Sequence, residues 1–231
     1  MTAHGEARAT TSLVVYEPPA VLNVQQAERR YELPRTGAVA VRQAWGSGGD
    51  TGAAQWPAGV ELAKLIDSEG PERWRGKRVL ELGSGVGIAG IAAALCGGAH
   101  VTLSDYGFAA NGGGAEAAAR AELLRSNLEA NARRSGVSER CDAVALDWHA
   151  SLRQGFRPAR RYEAIVGSDL CYYEDDVDAL AATIVAHLQP GEHVGSHAEG
   201  GAVAVAAVQR LDAMGADAVQ AQPCERLVRG G

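Results

Sequence analysis

The chain has 231 residues, 46% of them hydrophobic, with 28 acidic against 22 basic side chains and a formal net charge of −6. That length and apolar content suit one α/β domain with a small extension, and no apolar run reaches membrane-spanning length. The acidic balance and the lack of a long basic run argue against a dedicated nucleic-acid binder. Four scattered cysteines (Cys96, Cys141, Cys171, Cys224) form no C-x-x-C pair, and the N-terminus has no hydrophobic signal region. The expectation is a reduced, soluble protein of the cytoplasm or nucleus, outside any membrane.

Residues 1–12 read as a polar tail and residues 13–55 as an extension carrying short strands at 13–16, 20–24 and 38–42, with Pro18, Pro19, Pro34 and Gly37 between them. The main domain is read as 56–231. Trp56-Pro57 opens a helix with Leu62, Leu65 and Ile66 on one face, ended by Gly70-Pro71. Residues 78–82 form a short buried strand that turns through Gly83, Gly85 and Gly87 into a helix marked by Ile88, Ile91 and Leu95. A second strand, 99–103, runs out at Asp105, and a Gly/Ala-rich loop covers 107–114. A long helix over 115–134 buries Ala121, Leu124, Leu128 and Ala132. The third strand, 143–146, delivers Asp147-Trp148. The fourth, 163–166, leads into Ser168-Asp169-Leu170-Cys171-Tyr172. A helix carrying Val177, Leu180, Ile184 and Leu188 stops at Pro190-Gly191. A fifth strand at 193–196, a helix at 202–214 and a last strand at 216–219 complete the reading. Strands alternate with helices, which predicts a doubly wound, mainly parallel sheet with ligands at the carboxyl ends of its strands.

A strand that turns through glycines into a helix is a nucleotide-binding corner. Dinucleotide folds want G-x-G-x-x-G where the strand ends. Counting from Gly83 puts Ile88 at the third glycine, and Gly85-x-Gly87-x-x-Gly90 starts two residues too deep. What fits in place is Glu81-x-Gly83-x-Gly85-x-Gly87. An acid there repels a pyrophosphate but tolerates a ligand bearing an ammonium and a sulfonium. Asp105 lies where a carboxylate can accept ribose hydroxyls, a role shared with dinucleotide folds. Asp147 and Trp148 are placed to meet an adenine, or equally to be a strand-end acid and a core indole. The histidines show no metal-ligand spacing, so no metal is expected, and His149 is read as solvated.

Several motifs in one order resemble the METTL-type protein-lysine methyltransferases, non-SET enzymes built on a seven-strand Rossmann-like sheet. They are Gln55-Trp56-Pro57, the Glu81-Leu82-Gly83-x-Gly85-x-Gly87 loop, Leu124-x-x-Asn127-x-x-x-Asn131, Leu146-Asp147-Trp148 and Asp169-x-x-Tyr172. The likeness covers about residues 38–190. It implies S-adenosyl-L-methionine as cofactor and a protein lysine as acceptor. It also implies cofactor contacts from Trp56, Glu81, Gly83, Gly85, Gly87, Asp105, Asp147 and Trp148, with Asp169 and Tyr172 at the methyl-transfer end. A monomer is expected. The tail after Met214 leaves little room for the family's last antiparallel hairpin, so an incomplete C-terminal hairpin is expected. The same fold acting on arginine, histidine or a small amine is the near alternative. A nicotinamide-dependent oxidoreductase lacks a hydride-transfer pair here, and a non-catalytic binding module is the third reading.

Overall fold

The structure, a computed structural model, describes residues 27–44, 51–106, 115–170, 175–189 and 202–206. A hairpin of β1 (Glu28–Leu33) and β2 (Gly37–Arg42) precedes α1 (Pro57–Glu69) and a one-turn α2 (Pro71–Trp74). Then come β3 (Arg78–Leu82), α3 (Ile88–Leu95), β4 (His100–Asp105), α4 (Ala115–Arg134), β5 (Cys141–Ala145), β6 (Ala164–Ser168), α5 (Asp175–His187) and β7 (Ala202–Ala206). β3 to β7 make one parallel sheet in the order β5-β4-β3-β6-β7. The chain therefore leaves β3 toward one side to form β4 and β5, and later returns to its other side as β6. The order reverses at β3, and in such sheets the crevice beyond that strand's carboxyl end is the ligand site.

Alternation along β3 assigns the two faces. Val79 joins a core built with Val101, Leu103 and Val166, covered by α1, α3, α4 and the hairpin. Leu80 and Leu82 point the other way, against Ile165 and the α5 residues Leu180 and Ile184. The hairpin's Leu33, Val39 and Val41 belong to the first cluster, so it is built into the domain's core. The long helix buries its predicted stripe, Ala121, Leu124, Leu128 and Ala132. On α1, Leu62 and Ile66 are buried but Leu65 is 41% exposed, so the predicted apolar face is narrower than expected.

Two sequence expectations are corrected. β1 was absent from the predicted strands because Glu28-Arg29-Arg30-Tyr31-Glu32-Leu33 shows no apolar alternation; antiparallel pairing with β2 makes it a strand. Residues 202–206, predicted to start a helix, form β7, in register with β6 from Ala164 opposite Ala202 to Ser168 opposite Ala206. Ala-Val-Ala-Val-Ala has a period of two, and β-branched valine suits a strand; alanine's helix preference is a weak prior that pairing overrides. The predicted strands at 13–16, 20–24, 193–196 and 216–219, the rest of the 202–214 segment and the expected C-terminal hairpin lie outside the described residues.

One side chain joins three parts of this frame. Asn131, fully buried on α4, accepts from the Arg42 N–H through Oδ1 (2.8 Å) and donates through Nδ2 to the Val86 (3.1 Å) and Arg42 (3.3 Å) carbonyls. Asn127, one turn earlier, donates to the same Arg42 carbonyl at 2.8 Å. The two asparagines fasten the end of β2 to the loop after β3. Removing Asn131 takes a partner from the part-buried Arg42 N–H and from the buried Val86 carbonyl, and an unpaired buried group costs about 1–3 kcal/mol. Asn131→Ala is therefore expected to destabilise the fold by about 2–4 kcal/mol in urea titrations. Asn131→Asp, which keeps the acceptor but cannot donate, is expected to cost at least as much.

Candidate active site

The loop after β3 is shaped by what packs on it. Gly83, Gly85 and Gly87 all have φ between 52° and 84°. At Gly87 a Cβ would lie 2.2 Å from Leu128 Cδ1, so this glycine lets α4 close on the start of α3. At Gly83 a Cβ would lie 2.5 Å from Leu170 Cδ2, and at Gly167 one would lie 2.6 Å from Leu170 Cδ1. Leu170 is thus a wedge seated in space that two glycines leave. It anchors the preceding residue, Asp169, which has φ 55° and is the one non-glycine with positive φ among the described residues. Asp tolerates that conformation better than most residues, and its cost is met where surrounding packing over-determines it.

Over the loop lies the segment 51–56. Ala44 N–H donates to the Ala53 carbonyl (2.9 Å), and the Gln55 N–H donates to Gln43 Oε1 (2.8 Å), so the segment is tied back to the end of β2. Its Gly52 carbonyl lies 3.2 Å from where a Cβ on Gly85 would stand. Trp56 then precedes Pro57, the first residue of α1, where proline's missing N–H costs nothing.

Between roof and loop is a cavity of about 430 Å³ at the carboxyl ends of β3, β4 and β6. Of the residues predicted to form the site, Trp56, Glu81, Gly83, Gly85, Asp105, Trp148 and Asp169 line it. Asp105 Oδ2 accepts the Gly85 N–H at 2.9 Å, so this acid also holds the loop in shape. Two predicted residues are placed elsewhere. Gly87 is a packing position under Leu128. Asp147 accepts the His149 N–H through Oδ1 (3.0 Å), capping the short 3₁₀ turn Trp148–Leu152 instead of facing the cavity. Tyr172 lies outside the described residues.

Sequence reasoning missed several lining residues. His149, read as solvated though near the site, is half exposed as expected and also lines the cavity, bonding through Nε2 to Asp176 Oδ1 (3.0 Å), so the 3₁₀ turn is linked to the first turn of α5. Gln55, Tyr106 and Ser168 also line it. The signal that could have found Ser168 and Tyr106 is position, since each adjoins a predicted strand-end acid. His149 and Asp176 lie 27 residues apart and carry no such local signal.

Glu81 is the electrostatic centre. It points to the α3 face, is 4% exposed, and its Oε2 is buried without a hydrogen-bond partner. Burial pushes its pKa up to about 8, against the opposing pull of the Gly90 and Ala89 amides and of Ser84; the Asp105 charge adds a smaller upward push. Among the described residues no lysine or arginine lines the cavity, while Glu81, Asp105, Asp169 and Asp176 do. The site is built for a ligand that brings positive charge and N–H donors.

The comparisons agree with this geometry. A candidate SAM-dependent methyltransferase from Streptococcus mutans superposes with a TM-score of 0.50 at 15% identity, over 79% of this chain and 42% of that one. Fold and site define an S-adenosylmethionine-dependent methyltransferase. Within that class, residues 37–197 match the family described as lysine methyltransferase, and the chain belongs to that family. It is similar to the protein N-lysine methyltransferase METTL21A of Danio rerio, 32% identical over 79% of this chain and 77% of that protein. It is also similar to EEF1A lysine methyltransferase 3 of Mus musculus, 32% identical over 63% of this chain and 55% of that one. Calmodulin-lysine N-methyltransferase of Arabidopsis thaliana is 30% identical over 71% of this chain and 45% of its own length.

The raised Glu81 pKa has a testable sign. Below about pH 4.5 the carboxyl is protonated in both folded and unfolded chains. Between there and about pH 8 the unfolded chain loses the proton and the folded chain keeps it, so Glu81 opposes folding increasingly as pH rises. Glu81→Gln removes this term while keeping the shape. Thermal melts are expected to show wild type losing stability relative to Glu81→Gln between pH 5 and 8, by on the order of a few kcal/mol. Parallel curves would show that the burial cost is relieved in solution.

Proposed function

We propose that this protein transfers a methyl group from S-adenosylmethionine to a lysine side chain of another protein. The observation that carries the reading is the acid-lined cavity at the point where strand order reverses, bordered by Glu81, Asp105 and Asp169 and, among the described residues, by no lysine or arginine. S-adenosylmethionine fits what the chain offers: a cradle kept open by glycines, an apolar roof at Trp56, and an acidic lining with no lysine or arginine among the described residues. Trp56, Gly83, Gly85 and Asp105 would hold it, with Trp148 beside its ring. When bound, the cofactor supplies a methyl carbon on a positively charged sulfur, open to in-line displacement by an uncharged amine.

The protein's own work is then placement and desolvation. Asp169 follows β6 in a backbone conformation fixed by the Leu170 wedge, which sets where its side chain leaves the main chain at the cavity wall. A slot walled by Trp56 and Leu170 disfavours the ammonium form and lowers the acceptor's pKa. Tyr172 is assigned to the same end of the site on family resemblance. The relatives named for protein substrates support a protein acceptor, and we read the enzyme as a monomer of the cytoplasm or nucleus.

Calorimetry is expected to show S-adenosylhomocysteine binding and no response to NAD; the reverse would favour an oxidoreductase. Asp169→Ala is expected to bind S-adenosylhomocysteine within about threefold of wild type while losing at least 100-fold in labelled methyl transfer to lysate protein. The expected label is on lysine. Label mapped to arginine or histidine would reassign the acceptor, and a fully active variant would remove Asp169 from the mechanism.

A further inference from the structure

Gln55 has no role in the reading above, yet it is one of the most constrained polar groups in the cavity wall. It is 2% exposed, although glutamine is ordinarily a surface residue. Its backbone N–H is held by Gln43 Oε1, and its Nε2 donates to the Trp56 carbonyl at 2.6 Å. That bond fixes which way the carboxamide faces. The remaining atom, Oε1, is buried and has no partner. A buried carbonyl left without a donor costs about 1–3 kcal/mol, and at a cavity wall a water or a ligand N–H can supply the donor.

Position narrows what that ligand group is. A Cβ on Gly59 would lie 3.0 Å from Gln55 Nε2, 3.0 Å from Ile88 Cγ2 and 3.6 Å from Ser168 Oγ. The carboxamide nitrogen therefore lies toward Ser168, the last residue of β6, while the residue also borders a smaller pocket with Arg29, Tyr31 and Glu61. Asp105, Tyr106 and Trp148 follow β4 and β5 on the other side of β3. An adenosine placed by those residues leaves Gln55 facing the opposite end of the ligand. Among the described lining residues the charges at that end are acidic, and a neutral carbonyl beside carboxylates suits a group with several N–H bonds and a positive or transferable charge.

We propose that Gln55 Oε1 is a specific acceptor for a primary amine at the β6 end of the cavity, making Gln55 a positioning residue for amine recognition. The inference rests on the methyltransferase reading and extends it. Two amines could supply the N–H, the α-ammonium of the cofactor or the amine that approaches the methyl carbon, and three probes separate them. S-adenosylhomocysteine carries only the α-ammonium. Sinefungin carries that group and a second amine in place of the methyl, on a carbon that replaces the sulfur. 5′-Methylthioadenosine lacks the amino-acid end altogether.

The test is calorimetric titration of the full chain with each probe, comparing wild type, Gln55→Met and Gln55→Glu. Gln55→Met is expected to bind 5′-methylthioadenosine as wild type does, which also reports an intact fold. Tenfold or greater weakening of both S-adenosylhomocysteine and sinefungin assigns Gln55 to the α-ammonium. Weakening of sinefungin alone assigns it to the amine at the methyl position. Gln55→Glu keeps an acceptor but, like Gln55→Met, loses the bond to the Trp56 carbonyl; it is expected to bind the affected probe at least threefold more tightly than Gln55→Met does, and an affinity no better than that of Gln55→Met overturns the acceptor role. Equal affinities in wild type and Gln55→Met for all three probes, or equal weakening of all three, also overturn it. If wild type binds none of the probes, the methyltransferase reading falls and takes this inference with it.

Discussion

The site depends on one carboxamide. Asn131 reaches from the middle of the domain to the Arg42 backbone and the Val86 carbonyl, holding the hairpin's last residue against the loop that follows β3. Everything above the cavity hangs from that join. Gln43 and Ala44 continue from Arg42 and hold residues 51–56, which place Trp56 at the start of α1. The knot, with Asn127 beside it and the hairpin's buried side chains, sets the roof against the floor. This gives physical content to the asparagine spacing on α4. Residues four apart share a helix face, and here that face bonds main chain instead of burying apolar surface.

Electrostatics then set what the frame can receive. Glu81 lies on the same face of β3 as the apolar Val79, between a sheet and a helix, where a charge is expensive. It is tolerated because the Ala89 and Gly90 amides of α3 point toward it and because burial holds it in its uncharged form to about pH 8. Asp105 divides its duties, shaping the loop through Gly85 while facing the same space.

Much of this was legible in the sequence, and the limits have physical causes. The strand at 78–82, the helix at 115–134 and the positions of Asp105 and Asp169 at strand ends followed from local pattern, because hydrophobic period and glycine placement are local properties. β1 escaped because a mostly charged hexapeptide becomes a strand only through its partner. β7 escaped because alternating Ala and Val satisfies a helix preference until a neighbouring strand is present. Asp147 was assigned to the ligand because strand-end acids usually face the crevice; its side chain instead closes onto the amide two residues on, a choice that turn geometry makes. His149 and Gln55 took their places through bonds to residues distant in sequence or to neighbouring backbone, which no periodicity announces.

The Leu170 wedge has an evolutionary corollary. Its two methyl groups occupy the volumes that side chains at positions 83 and 167 would need, so the three sites cannot drift independently. A lineage that gains a methyl at position 167 must first shrink position 170, and in doing so loosens the corner that holds Asp169. Change at the strand end is therefore a coupled event, in which positions 83, 167 and 170 move together or not at all.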